Sequence, residues 1–470
     1  MIAWTARRGA VALAWLKGLL VAASIVAIAL QWTNTRIIIL RQNQNPAHPT
    51  APVTYPAFHS MATGLREGRI GQVDLEAFEQ YSVLHDPLAP FDRLPAGAAH
   101  RWANYYVLDV GYSFIVEAAR LAFPSLPDNY LRALALQLVM DAATVAFVCY
   151  VFWQWHFLLG LIAGYLYASN GVFYDLVSFA YYYYWDIPLT FFVLGALMLA
   201  YRRKAEATSW LSAAGLVLGF GVWLRGSWWP LSLFLAGLAA FSPPLRRKLA
   251  APIVAFAIVA TPQVVRSSVA RGQLTFTPRA VWHVAMVGLG YYPNPYGLRD
   301  QDEAVFNLTK QKYGVSFRYE DYYQHDLAAK KEFLSIWHND RAFVIRSFVG
   351  RLKESVAGSA KSDVLSFIFF QNLTYRLCCL AGLLAMIARG GDKRLLAFAS
   401  GGMYAIYVVL TCVFYYVGLA YDNVPEVALF VLFMGGLEAV LYLAQTAVIR
   451  LGLSPGPARF ADADGQPACA

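Results

Sequence analysis

The chain has 470 residues, of which 58% are hydrophobic, 15% aromatic and only 14% charged, against roughly 25% charged in an ordinary soluble domain. So much apolar surface excludes a disordered or nucleic-acid-binding chain and argues against a soluble protein of two or three domains. The net charge of +9 does not point to nucleic acid, because many of the basic residues stand at the ends of apolar runs.

Those runs are long enough to act as membrane spans, which need about 20 apolar residues each. Ten are expected, over roughly 10–31, 131–152, 156–170, 186–202, 208–224, 227–241, 249–265, 369–388, 395–417 and 426–448. Arg7 and Arg8 precede the first run, as they would a secretory signal. About 20 apolar residues is long for a signal, so an uncleaved anchor is expected. The short connections carry five basic clusters: Arg7/Arg8, Arg202/Arg203/Lys204, Arg246/Arg247/Lys248, Arg389/Lys393/Arg394 and Arg450. Threading ten spans puts all five on one side, and the bias of Lys and Arg in short loops makes that side the cytoplasm. Both termini are then cytoplasmic.

The expected fold class is an all-α polytopic membrane protein with about ten transmembrane helices and two large extracytoplasmic loops carrying interfacial helices. Its parts are a first half of the bundle, 1–265, with an acidic outer loop at 32–130; an outer loop domain, 266–368; C-terminal spans, 369–449; and a tail, 450–470. Neither long loop contains a cysteine, and no CxxC or Cys/His spacing occurs. Disulfide staples and structural zinc are not expected.

The first loop carries Glu67, Asp74, Glu76, Glu79, Asp86, Asp92, Asp109, Glu117 and Asp128. Tyr55 to Arg69 reads as a short amphipathic helix, and a second apolar helix opens at Tyr105 and breaks at Pro124 and Pro127. Apolar helices outside the spans suit the membrane interface. Most such acids form a solvated face, but one poised over the membrane can act as a base. Asp109 is the first candidate, because Tyr105-Tyr106 and Gly111-Tyr112 set it at a helix start beside rings that suit sugar stacking. Asp74, at the end of the first loop helix, is the second; Glu76, Asp86 and Asp92 follow.

The second loop opens with Arg266, Arg271, Arg279 and His283, then an aromatic turn, Gly288 to Gly297. Helices are expected near 319–338 and 340–356. In the later one, Phe343, Val344, Phe348 and Leu352 form a stripe with Arg341, Arg346, Arg351 and Lys353 interleaved. That pattern suits an anionic lipid surface or packing against the other loop equally well. Gly288-Leu-Gly lacks the strand-turn-helix context of a nucleotide site. Within the spans, Asp141 and Lys17 lie about 18 and 12 Å from the cytoplasmic ends by helical rise, and a structural pair is expected. Arg225, between Gly219-Phe-Gly-Val-Trp-Leu and Gly226-Ser-Trp-Trp-Pro, marks an outer helix end. It suits phosphate, which Arg can hold through two parallel hydrogen bonds, or an anchor that snorkels to lipid. The run Tyr181–Tyr184, Trp185, Asp186 reads first as an interfacial aromatic belt and second as a sugar-stacking surface.

In this layout the chain resembles the GT-C-fold membrane glycosyltransferases, especially the bacterial branch related to protein mannosyltransferases and lipid A aminoarabinose transferases. The likeness covers roughly residues 10–300 and rests on the loop order, on Gly215 through Arg225 with Pro230, and on Pro262 through Arg271-Gly272 and Arg279. Two places depart from the family pattern. Pro52 to His59 has no carboxylate where the family puts its acid, and Ala420-Tyr421-Asp422-Asn423 stands where relatives have Arg-Tyr. The resemblance implies inverting transfer of a sugar from a polyprenyl-phosphate donor to a lipid, glycan or protein acceptor, on the outer face of a bacterial inner membrane. A loop carboxylate, Asp109 or Asp74, would take the acceptor's proton. Cations would stabilise the departing phosphate, with Arg225, Arg266, Arg271, Arg279 and His283 as candidates. No nucleotide site, cofactor or nucleic-acid partner is expected; a divalent metal is left open. The other classes are a lipid-linked saccharide polymerase or ligase and a lipid or saccharide transporter. Transporters commonly show repeated halves, and this chain shows none.

Overall fold

The computed structural model describes residues 2–43, 55–76, 100–104, 109–126, 129–177, 181–276, 281–318, 322–357, 373–414 and 423–451. Apart from one two-stranded ribbon, their regular structure is helical. The first span is the start of α1 (Ile2–Asn43), one helix that runs past the expected end at 31 and keeps Thr35 and Arg36 helical. The first loop supplies α2 (Tyr55–Arg66), strands β1 (Gln72–Asp74) and β2 (Trp102–Asn104), and α3 (Gly111–Ala122). Asp74 therefore ends a strand rather than a helix, and α3 starts six residues later than Tyr105; residues 105–108 lie outside the described residues.

The bundle continues with α4 (Asn129–Trp153), α5 (Phe157–Ser169), α6 (Gly171–Val177), α7 (Tyr182–Arg202), α8 (Ala207–Leu224), α9 (Trp228–Phe241), α10 (Pro243–Arg246) and α11 (Ala250–Arg271). An outer module follows: α12 (Trp282–Leu289), α13 (Asp302–Tyr313), α14 (Tyr322–Asn339) and α15 (Arg341–Ala357). The chain returns through α16 (Leu373–Arg389), α17 (Gly391–Phe414) and α18 (Asn423–Arg450). Over their described residues the ten expected runs each lie on a helix, but not all ten have the length of a span. Among the described residues seven helices are long and apolar enough to cross a membrane, or eight if the bent pair α5–α6 makes one span. The chain is an all-α polytopic membrane protein.

Close approach of helices rests on missing side chains, as usual where lipid gives no hydrophobic drive for association. A Cβ on Gly215 of α8 would lie 2.3 Å from the Pro252 carbonyl oxygen of α11. Higher up the same seam, Trp223 Nε1 donates to the Val259 carbonyl at 2.7 Å. At one end of the bundle the basic connections meet. The Lys248 ammonium donates to the Lys204 carbonyl, and Arg202 faces Asp392 at 3.8 Å. The opposite end, called the outer end below, carries the first-loop elements and the outer module.

Asp141 does not pair with Lys17. Lys17 lies over the Phe157 ring at 4.6 Å, whereas Asp141 is fully buried and bound by Arg36 through Nε and Nη2, each at 2.9 Å. Trp32 Nε1 (2.6 Å) and the Tyr167 hydroxyl (2.7 Å) complete the cage. The longer α1 is the reason: it carries Arg36 to the depth of Asp141, and a guanidinium supplies several directed donors where an ammonium gives a point charge. The same arginine closes the break in the span below it. α5 and α6 meet at a 56° bend. Arg36 Nη1 (2.7 Å) and Thr35 Oγ1 (3.1 Å) donate to the Ala168 carbonyl, and Asn170 Oδ1 accepts from the Val172 and Phe173 amides. Backbone groups freed within a membrane need such partners.

The outer module has its own core, with Met286, Val305, Phe333, Ile336 and Val344 buried together. The apolar stripe of α15 is thus used partly inside the module, and α15 and α12 also pack on α17. Tyr291 and Tyr292 both donate to the Glu354 carboxylate, at 2.5 and 2.8 Å, tying the aromatic turn to α15. Arg351 is fully buried at this seam, and burial pushes its guanidinium down to about 10.

The five basic clusters predict sidedness. Reporter fusions after Lys204, Lys248 and Arg394 should read cytoplasmic, and those near Pro90 and Lys330 external. A cytoplasmic reading at Lys330 would invert the arrangement.

Candidate functional site

Four helix ends meet at the outer end of the bundle. α7 begins there with the tyrosine run, α8 ends at Leu224, and α9 and α18 begin with Trp228 and Asn423. The turn between α8 and α9 puts Arg225 in extended backbone (φ −157°), so its side chain turns back under the tyrosines. Its guanidinium lies 5.0 Å from the Tyr183 ring centre, 5.8 Å from that of Tyr182 and 5.7 Å from that of Tyr407 on α17. Such an aromatic cage attracts a cation through the negative ring faces.

Asp186 lies at the centre of this meeting point and is fully buried. Its Oδ2 accepts from Arg225 Nη1 at 2.6 Å and from Asn423 Nδ2 at 2.8 Å, while Oδ1 accepts from Trp228 Nε1 at 2.8 Å. Three of the four helix ends are N-termini, whose partial positive charge favours an anion. Arg225 is only 2% exposed. It does not reach out to the headgroups as a snorkelling anchor would; it is held inside by its carboxylate.

Asp109 is beside it. Its Oδ2 accepts from the Gly226 amide at 3.2 Å, so the first candidate base and the first candidate phosphate ligand meet across one peptide unit. The approach depends on Gly111: a Cβ there would lie 2.6 Å from the Trp223 carbonyl carbon and 2.7 Å from the Leu224 amide nitrogen. The rings around Asp109 are layered. Phe58 of α2 stands edge-on to Tyr112 (5.0 Å), Tyr181 (5.9 Å) and Tyr182 (5.8 Å).

The other candidates lie apart from this centre. Asp74 spends its oxygens on the ribbon: Oδ1 accepts from the Glu76 and Arg101 amides at 3.2 and 3.0 Å, and Oδ2 faces His100 Nδ1 at 2.7 Å. Arg266 donates to the carbonyls of Ile70 (3.2 Å) and Gly71 (3.1 Å), hanging the ribbon from α11. His283 belongs to the outer module, where Nε2 faces Asp302 at 2.9 Å and Nδ1 faces His325 Nε2 at 2.9 Å. Arg279 and the Arg271 side chain lie outside the described residues. Among the described residues no three His, Cys, Asp or Glu side chains are grouped so as to hold a metal ion.

Sequence reasoning overlooked Asp186, because a carboxylate after four tyrosines and a tryptophan reads as part of a belt. The available signal was its place one turn inside an apolar helix, where a charge demands a partner. It also overlooked His325, whose Nδ1 faces Thr309 Oγ1 at 3.0 Å. Burial, with His283 close by, pushes His325 down to about 3. His59 of α2 is likewise pushed down to about 3, by burial and then by Arg66.

No protein-family model matches the sequence, and no curated protein does. Among solved structures, the chain is similar to the Archaeoglobus fulgidus oligosaccharyltransferase in complex with Zn and sulfate, at 12% identity and a TM-score of 0.49, over 92% of this chain and 50% of that one. It is similar to the archaeal oligosaccharyltransferase AglB from Archaeoglobus fulgidus, in complex with an inhibitory peptide and a dolichol-phosphate, at 14% identity and a TM-score of 0.47, over 93% and 53%. It is also similar to ArnT from Cupriavidus metallidurans bound to undecaprenyl phosphate, at 11% identity and a TM-score of 0.37, over 92% and 81%. The chain spans about half the length of the oligosaccharyltransferase.

Two outcomes follow from the geometry. Gly111→Ala must displace Asp109 from Gly226 or push back the end of α8, so the purified variant should melt several degrees lower, as scanning fluorimetry would show. For His325, the folded protein favours the neutral ring, and the unfolded chain takes up the proton first. Its contribution is full above the ordinary value of 6.5 and is lost as pH falls towards about 3. Melting temperature should fall between pH 7 and 4, and less steeply in His325→Gln.

Proposed function

We propose that this chain is a membrane glycosyltransferase that moves a sugar, with inversion, from a polyprenyl-phosphate donor to an acceptor on the extracytoplasmic face of a bacterial inner membrane. The observation that carries the reading is the pairing of Asp109 with the Arg225–Gly226 turn, joined by the 3.2 Å bond from the Gly226 amide. A polyprenyl tail lies in hydrocarbon, so its phosphate must stop at headgroup depth, the level of the outer helix ends. Arg225 then meets the phosphate.

In this mechanism Asp109 accepts the proton of the acceptor hydroxyl as its oxygen attacks the anomeric carbon. The bond from that carbon to the phosphate oxygen breaks, and the electron pair leaves with the carrier phosphate. Arg225 stabilises the charge that develops there. Asp74 is a structural member of the ribbon. Arg266 supports the loop on which the base stands, and His283 orders the outer module. The acceptor is a lipid, glycan or protein bearing a hydroxyl.

A transporter is the second reading, favoured by the bend between α5 and α6, since broken spans are common in transporters. The freed backbone there is taken up by Arg36, Thr35 and Asn170, which suits a fixed scaffold better than a moving gate.

The test is transfer from a synthetic polyprenyl-phosphate sugar by the purified protein. Asp109→Asn keeps the size and removes proton acceptance, so turnover should fall about 10²-fold or more. Arg225→Lys should also lose most of the rate while inserting and purifying normally. Near-normal turnover in both variants would remove the two residues from the site.

A further inference from the structure

Asp186 has no part in the chemistry just described, yet it is the most heavily bonded group at the site. Its two oxygens take three donors, from Arg225, Asn423 and Trp228, at 2.6 to 2.8 Å, and none of the four residues is more than 2% exposed. A guanidinium already bound by a carboxylate in a dry setting is a poor partner for a second anion. Full net charge on Arg225 would be the opposite problem: inside an aromatic cage it would hold the carrier phosphate after the sugar has left. Both difficulties are met if the carboxylate and the phosphate exchange on the same guanidinium.

Resting on the assignment of Arg225 to the donor phosphate, we propose that Asp186 is a positioning residue. It holds Arg225 while the site is empty, yields it to the phosphate of the lipid-linked donor, and takes it back so that the spent carrier is released. The two remaining donors make this exchange feasible. When Arg225 swings to phosphate, Asn423 Nδ2 and Trp228 Nε1 still bond one oxygen each of Asp186, so the carboxylate is never left bare in the bundle. Asn423 also donates to the Tyr183 carbonyl at 2.8 Å, which fixes it on α7 whichever anion Arg225 holds. The ligand class is therefore a phosphomonoester or phosphodiester on a polyprenol, held tightly enough to react and loosely enough to leave.

The prediction has a sign that damage to the fold does not produce. Asp186→Asn keeps the shape but removes the competing charge, so affinity for the product should rise. The probe is a polyprenyl phosphate titrated into the purified full-length protein in detergent, read by tryptophan fluorescence, alongside single- and multiple-turnover transfer. Asp186→Asn should bind the probe at least tenfold more tightly, keep most of the single-turnover rate, and fall in multiple turnover because release is slow. Unchanged or weaker binding in a folded Asp186→Asn protein overturns the proposal. Asn423→Ala provides the opposite arm: with one donor fewer, Asp186 leans harder on Arg225, and probe affinity should drop several-fold. If Asp186→Asn does not fold, unchanged affinity in Asn423→Ala overturns the proposal on its own. The underlying assignment fails separately, through equal probe affinity in wild type and Arg225→Lys.

Discussion

A carboxylate within a membrane-embedded bundle persists only where its charge and lone pairs are met, because the surrounding hydrocarbon offers neither water nor counter-ion. Two such groups organise this protein. Asp141 gathers Trp32 and Arg36 from α1 and Tyr167 from α5. Asp186 gathers Arg225, Trp228 and Asn423 from three other helix ends. Removing one partner of a buried ion pair costs about 3–5 kcal/mol, so each carboxylate fixes which helix ends can be neighbours. α7 links the two: it carries Asp186 itself, and its Tyr184 hydroxyl reaches Asp141 at 3.5 Å. It is also the most enclosed candidate span, with 89% of its apolar window buried, against 6% for α1.

The outer elements rest on that frame. α3 can start where it does because Gly111 lets it touch the backbone at the end of α8. The ribbon hangs from Arg266 on α11, and its own corner is held by Asp74. Acids and arginines that look alike in the sequence therefore divide by task. Asp74 and Arg266 bond within the first loop or tie it to α11 and so build the loop. Asp109 and Arg225 come together at a turn between helices, beside a wall of rings.

The burial of Arg225 changes the physical picture of the site. An arginine at an outer helix end is expected to reach upward into the headgroups, and that would leave it hydrated and weakly selective. Drawn inward under Tyr182, Tyr183 and Tyr407, it is instead a desolvated cation whose field is strong and directional. A charge in that state needs a resident counter-ion, and Asp186 serves. Affinity for any incoming anion then depends on a competition within the protein.

Composition and periodicity were enough to read the membrane class, helices under the ten apolar runs, and the helices near 55–69, 319–338 and 340–356, but not those at Trp282–Leu289 and Asp302–Tyr313. The features that were read depend on local apolar content and on Gly and Pro punctuation, which act within a few residues of one another. The grouping of Asp109 with Arg225 was legible only as two separate candidates, each at a helix end on the same side. Their contact was decided by Gly111 against Trp223, a long-range fit that no local pattern encodes. Lys17 was matched to Asp141 by depth counted from the expected span ends, but α1 continues past 31, and Arg36, about 28 Å further along the helix by its rise, is the residue level with Asp141. Asp186 was hidden for a related reason. Beside four tyrosines it looks interfacial, and only the arrival of α8, α9 and α18 at the same point, from as far as 237 positions away in the chain, makes it the buried centre of the outer end.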